Sequence, residues 1–139
     1  MAHCLATLLS RGFAGAVLIG SDLPTLPVAY LQHAVSLVAM PHVDVVLGPS
    51  TDGGYYLVGM RQLHAGLFAG VPWSTAAVWR ETQRRATALG LRVATLPAWY
   101  DVDRAADLPR LRHDLQRTAD PTAAHTRRLL LAVGQAAGR

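Results

Sequence analysis

Apolar and polar positions alternate along this chain in short blocks that predict a succession of helices and strands. Leu5, Leu8 and Leu9 recur at helical spacing and the pattern stops at Gly12, which predicts a short helix over 2–12 with a glycine stop. Ala14–Gly20 is a continuous apolar run and predicts a buried strand. Ser21, Asp22, Pro24 and Pro27 break it and prepare a helix over about 28–40. Val43–Gly48 and Tyr55–Met60 predict two more strands, joined by Pro49-Ser-Thr-Asp-Gly-Gly54. A long helix is predicted from Ser74, read as its N-cap, to Leu89, followed by a strand over Leu91–Leu96. Asp101-Val-Asp103 opens a helix reaching about Gln116, and Pro121 starts a last amphipathic one. This alternation predicts an α/β layer architecture, and no internal repeat interrupts it.

Length and composition narrow the class. With 139 residues the chain is expected to form a single domain over 1–139, at roughly 100 to 200 residues per domain. Hydrophobic residues make up 51% and charged ones 16%, enough to build a core and too apolar for a disordered chain. Arg11, Asp22, His33, Asp44 and Asp52 interrupt every apolar run short of the ~18 residues a membrane helix needs. The first residues lack the basic start of a secretory signal, so a cytoplasmic protein with no membrane partner is expected. The single Cys4 excludes an internal disulfide and a multi-cysteine metal site, and reads as a small apolar packing residue. The formal charge is +4, but all 13 cations are Arg and none is Lys, which excludes a lysine-bearing P-loop. The arginines are scattered, so a solvated basic surface is expected and nucleic acid is not. The six histidines show no metal-ligand spacing.

Ligands of open α/β sheets bind beyond the carboxyl ends of the strands, so polar residues directly after an apolar strand are candidates for chemistry. Ser21 and Asp22 stand there, although Asp22 also suits a turn or helix cap. Asp101 and Asp103 follow another apolar stretch, and their period-two spacing lets only one easily face a given cleft. Asp103 is also a good N-cap for a helix beginning near Arg104, and capping and metal binding are not exclusive. Eight of the nine acids are Asp. Such short carboxylates suit Mg²⁺ or Mn²⁺, and a cation held by two of them can neutralise a departing nucleotide diphosphate. In Gly48–Tyr56, Asp52-Gly53 is a strong turn signal. Equally, Gly53 and Gly54 allow a substrate close to the backbone, Thr51 and Asp52 can bond sugar or phosphate oxygens, and Tyr55 or Tyr56 can stack. Phe68, Val71, Pro72 and Trp73 read mainly as core, with Trp73 able to wall a pocket.

The strings Val17-Leu-Ile-Gly-Ser-Asp-Leu-Pro24, Asp44-Val-Val-Leu-Gly-Pro49 with Asp52-Gly-Gly-Tyr55, Val71-Pro-Trp-Ser-Thr75, and Asp101-Val-Asp103 with Asp107-Leu108 occur in order. Together they resemble the DUF2064 group of GT-A-fold transferases, whose members are described as glycosyltransferases, including an arsenosugar-biosynthesis branch. The resemblance runs from about Ala2 to Arg128. The group is similar, more distantly, to sugar nucleotidyltransferases and to the guanylyltransferases of molybdopterin and phospholactate. It implies a partial GT-A, Rossmann-like sheet flanked by helices. By the same resemblance, Asp22 and Asp103 are the metal-binding pair and the Asp52-Gly-Gly54 loop faces the transferred group or acceptor.

The chain departs from that family at its start, where members carry further strands and a glycine-rich, basic turn that receives the nucleotide. It therefore resembles the C-terminal two-thirds of such an enzyme, lacking the N-terminal strands. The Ala14–Gly20 strand is then expected to leave an apolar edge that pairs with a second copy, aggregates or lines an exposed groove. The leading expectation is a glycosyltransferase using a nucleotide-activated sugar and Mg²⁺ or Mn²⁺, with a small-molecule acceptor. Asp22, Asp52 and Asp103 are its catalytic candidates, and Ser21, Thr51, Gly53, Gly54, Tyr55 and Trp73 its substrate-binding ones. Nucleotidyl transfer and a non-catalytic interaction role are the alternatives.

Overall fold

Ala16-Val-Leu-Ile19 forms strand β1, a run of four apolar residues that suits an extended backbone, with Ala16 buried and Ile19 exposed. In the computed structural model, which describes residues 1–117 and 123–136, helix α1 (Ala2–Ser10) precedes it and helix α2 (Val28–Ala39) follows. Strands β2 (Val45–Pro49) and β3 (Tyr55–Met60) form a hairpin, then come a short 3₁₀ turn (Ala65–Leu67), helix α3 (Val78–Ala88) and strand β4 (Val93–Thr95). A second 3₁₀ turn (Ala105–Asp107) runs into helix α4 (Leu108–Arg117), and helix α5 spans Ala124–Ala136. Two compact units result: Met1–Gly20 with Pro27–Tyr100, and Ser21–Leu26 with Asp101–Arg139.

The first unit is built on a mixed four-stranded sheet in the order β1-β3-β2-β4. Strand β3 runs antiparallel to both β1 and β2, whereas β2 and β4 are parallel. Cross-strand partners share a face, so the register sorts the core. Ala16 pairs with Met60 and Met60 with Val45; Leu18 pairs with Val58 and Val58 with Leu47. These residues pack with Leu5 of α1, Leu67, Phe68 and Ala86 of α3 in one apolar cluster. Val17, Gly59 and Val46 are paired in the alternate register and face α2. A Cβ at Gly59 would lie 2.8 Å from Val38 Cγ2 and 3.0 Å from Val17 Cγ2, so glycine lets α2 sit close to the sheet. Helices thus cover both faces, as buried α/β sheets require.

Polar pairs finish this unit. The Arg92 guanidinium donates from Nε to Asp44 Oδ2 and from Nη2 to Asp44 Oδ1, each at 2.8 Å, and the Arg92 backbone N–H donates to Oδ2 at 2.8 Å. This fork ties the start of β2 to the start of β4 and holds the Asp44 carboxyl well below the usual carboxylate range. On α3, Val78, Thr82 and Ala86 are buried at four-residue spacing. Glu81 meets Arg84 at 2.7 Å and Arg85 at 2.8 Å, and the Arg84 hydrogen bond is the main reason its carboxyl falls to about 2.

In the second unit, Leu111, Leu115 and Ala123 form a small core against which Val102, Leu108 and Leu130 pack. Leu108, Leu111 and Leu115 recur on one side of α4, the spacing expected of an amphipathic helix. The Arg127 guanidinium donates from Nε and Nη2 to the Leu115 carbonyl at 3.2 and 3.1 Å, satisfying an oxygen near the end of α4.

Several sequence expectations are met and others corrected. The strand over Tyr55–Met60 is found with the same ends, and α1 stops before Gly12, which takes φ +84°. Ser74 does not cap α3, which begins at Val78; Ser74 instead adopts φ +63°, and Thr75 Oγ1 accepts the Ala77 N–H at 3.3 Å. Cys4 is exposed and is not a packing residue of the core. The expected helix start at Pro121 lies outside the described residues. No described helix is long and apolar enough to cross a membrane.

Candidate functional site

Two groups of candidate residues emerge, one in each unit. In the second unit, Ser21 and Asp22 follow β1 and are exposed, while Leu23 and Leu26 are buried. Burial of the two leucines anchors the segment, and the Leu26 N–H closes a turn onto the Leu23 carbonyl at 3.1 Å. Ser21 Oγ donates to Asp22 Oδ1 at 3.1 Å, leaving Oδ2 outside that bond. The Val102 N–H donates to the Asp22 carbonyl at 2.9 Å, so this segment lies beside the one carrying Asp103.

Asp103 does not act as the helix N-cap. The N-cap is Arg104, and Asp107, three residues on, reaches back as in a capping box, its Oδ2 accepting the backbone N–H of Arg104 at 2.8 Å and of Asp103 at 3.0 Å. Asp103 itself is exposed, while Asp101, two residues earlier, is half-buried. That difference follows the alternation of an extended segment. Two exposed carboxylates thus stand on hydrogen-bonded neighbouring segments. Among the described residues, no group of three or more His, Cys, Asp or Glu side chains could hold a metal.

In the first unit, the loop between β2 and β3 is tightly fixed. Asp52 Oδ1 accepts the Gly54 N–H at 2.9 Å, the side-chain turn that Asp-Gly favours, and Gly53 takes φ +95°. A Cβ at Gly53 would lie 2.5 Å from the Ala76 carbonyl oxygen, and the Gly53 carbonyl accepts the Trp79 N–H at 2.8 Å. From the other side, the Thr51 N–H donates to the Trp99 carbonyl at 2.9 Å and the Trp99 N–H to the Pro49 carbonyl at 3.0 Å. Thr51 and Asp52 remain exposed on this clamped turn. A rigid turn presents its polar groups at little ordering cost, which favours ligand recognition.

The two tyrosines after the loop divide. Tyr56 is buried, donates its hydroxyl to the Pro97 carbonyl at 3.0 Å, and is not available to stack on a ligand. Tyr55 is half-buried and meets Trp73 edge-on, with ring centroids 6.3 Å apart and planes at 76°. Burial pushes both hydroxyls up to about 12, so neither serves as a base near neutrality. Trp73 itself is 41% exposed and is not core, unlike Phe68 and Val71 beside it. Ser74 follows it in the left-handed region, a conformation that costs a non-glycine residue about 1–3 kcal/mol.

Trp99, Trp79 and Asp107 were not among the sequence candidates. The tryptophans act through backbone bonds to a loop far away in sequence, which leaves no local signature. Asp107 could have been found as an acid placed to reach back over a helix start.

The mixed sheet with helices on both faces belongs to the nucleotide-diphospho-sugar-transferase-like class of α/β folds. A crystal structure of a protein from Desulfovibrio desulfuricans G20, provisionally named a nucleotide-diphospho-sugar transferase, aligns with a TM-score of 0.83 and 32% identity, covering 97% of this chain. The chain spans only 60% of that protein's length. The model of the DUF2064 family, described as an uncharacterized protein conserved in bacteria, matches residues 1–75, more than half of the chain. This chain belongs to the DUF2064 family. Ser21, Asp22, the Asp52 loop and Trp73 lie within the family match, and Asp103 lies beyond it. No curated protein matches the chain.

Proposed function

We propose that this chain carries the metal-binding and sugar-handling residues of a GT-A-type glycosyltransferase that uses a nucleotide-activated sugar. The observation that carries the reading is the Val102–Asp22 backbone bond beside two exposed carboxylates, Asp22 and Asp103. Those carboxylates would hold Mg²⁺ or Mn²⁺, with Ser21 Oγ orienting the Asp22 carboxylate through its bond to Oδ1. A cation bound there would offset the charge that develops on a leaving diphosphate. Asp107 positions the Asp103 backbone, and the fixed Thr51–Gly54 turn offers the Thr51 hydroxyl and the Asp52 carboxylate to an acceptor. The name of the Desulfovibrio protein favours the same reaction class.

The second reading is nucleotidyl transfer, in which an acceptor phosphate attacks a nucleoside triphosphate and pyrophosphate leaves. The same two-carboxylate arrangement favours it, because both reactions expel a diphosphate group. Product analysis separates the two: nucleoside diphosphate release supports glycosyl transfer, and pyrophosphate release supports nucleotidyl transfer. Calorimetric titration with Mn²⁺ and then with nucleotides tests both against a non-catalytic role. Heat from neither titrant would leave only the non-catalytic role standing.

A further inference from the structure

We propose that Trp73 is the stacking platform for a pyranose ring, with the neighbouring Asp52 turn bonding the hydroxyls of that ring. The inference rests on the sugar-handling reading above and names the part of the chain that touches the sugar.

Core packing does not account for Trp73. Val71 and Phe68 are buried at 5% and 8% exposure, while the indole two positions after Val71 keeps 41% of its surface in solvent. Solvent exposure of so large an apolar side chain forgoes burial energy. The Trp73 N–H donates to the Val71 carbonyl at 2.9 Å, and Thr75 Oγ1 donates to the Pro72 carbonyl at 2.7 Å. Ser74 sits between them at φ +63°, a conformation that glycine would adopt without strain. Strain of this kind persists where surrounding contacts over-determine it, and such places cluster at ligand sites.

The surroundings suit a sugar. Tyr55 meets the indole edge-on at 76°, which restricts the plane of the Trp73 ring. Gly53 abuts Ala76 and its carbonyl accepts the Trp79 N–H, so the turn bearing Asp52 and the segment following Trp73 are fixed to one another. A pyranose has a face of C–H groups and a rim of hydroxyls. The face matches an exposed aromatic surface, and the rim matches an exposed carboxylate and the Thr51 hydroxyl. A nucleobase has a stacking face too, but its edge presents N–H and carbonyl groups that a carboxylate turn accommodates only in part.

Saturation-transfer NMR on the full chain with Mg²⁺ tests the assignment. The probes are glucose, galactose and mannose as free sugars, UDP-glucose and GDP-mannose, and UDP and GDP alone. The expected result is saturation of sugar C–H protons in at least one sugar-bearing probe. Sugar affinity should fall at least tenfold in Trp73→Ala and stay within about threefold in Trp73→Phe, with UDP or GDP affinity unchanged. Circular dichroism melts of both variants control for folding. Equal sugar affinity in Trp73→Ala, no saturation of any sugar proton, or loss of UDP or GDP binding in that variant would each overturn the inference. Absence of UDP and GDP binding by the unaltered chain would instead overturn the transferase reading, whatever the sugars do.

Discussion

The amide N–H of Val102 donates to the carbonyl oxygen of Asp22 across 2.9 Å, joining two stretches of chain that each present an exposed aspartate. Asp107 accepts the backbone N–H groups of Asp103 and of Arg104, the N-cap residue of the following helical turn. Local hydrogen bonding therefore fixes the backbone that carries Asp103.

Removing that support should be felt at both levels. Asp107→Ala leaves two N–H groups without their acceptor and should cost about 1 kcal/mol of stability, read as a lower urea midpoint. It should also weaken Mn²⁺ binding severalfold by loosening Asp103. Unchanged stability and unchanged metal affinity together would show that the capping geometry is immaterial.

The Asp52 turn separates structure from function by choice of substitution. Gly53→Ala places a Cβ against the Ala76 carbonyl at a φ of +95° and should destabilise the protein by about 2 kcal/mol or more. Asp52→Asn keeps the oxygen that accepts the Gly54 N–H, so thermal stability should hold while any transfer activity falls. A melting point lowered as much by Asp52→Asn as by Gly53→Ala would assign the carboxylate a purely structural role.

Acid should undo the pair between Asp44 and Arg92. The folded-state carboxyl titrates below its unfolded value, so the unfolded chain takes up protons first as pH falls, and the stabilisation is present above about pH 4 and lost below it. Asp44→Asn should therefore lower the melting temperature at pH 7 and lose most of that difference near pH 2. A difference that stayed constant between those conditions would contradict the assignment.

Strand β1 is an outer strand of the sheet, and Ala16–Ile19 carries neither charge nor proline to discourage pairing. Ile19 and Phe13 nearby are 51% and 58% exposed. We expect a second copy to pair along this edge and give a dimer in sedimentation velocity at micromolar concentration. A monodisperse monomer whose β1 amides are all protected from hydrogen exchange would contradict this.

Much of the fold was legible because strands packed on both faces leave unbroken apolar runs, as in Val45–Pro49 and Tyr55–Met60. The start of α3 was not. Ser74 has the composition of an N-cap, but its φ of +63° and the hydrogen bonds of Thr75 delay the helix to Val78. The placement of Asp22 directly after β1 was legible, and the residue is exposed there. The helix start near Arg104 was legible, but its cap was not: the N-cap is Arg104, and the acceptor is Asp107 three residues on. The clamp on the Asp52 turn was hidden, since Trp99 and Trp79 reach it through backbone groups that any residue possesses.

The central claim is that Asp22 and Asp103 share one divalent cation, and titrating Mn²⁺ into the full chain and into Asp22→Ala and Asp103→Ala by calorimetry addresses it most directly. The account predicts one site per chain, with affinity lowered at least tenfold in each variant and melting curves unchanged. Unaltered Mn²⁺ affinity in either folded variant would contradict it.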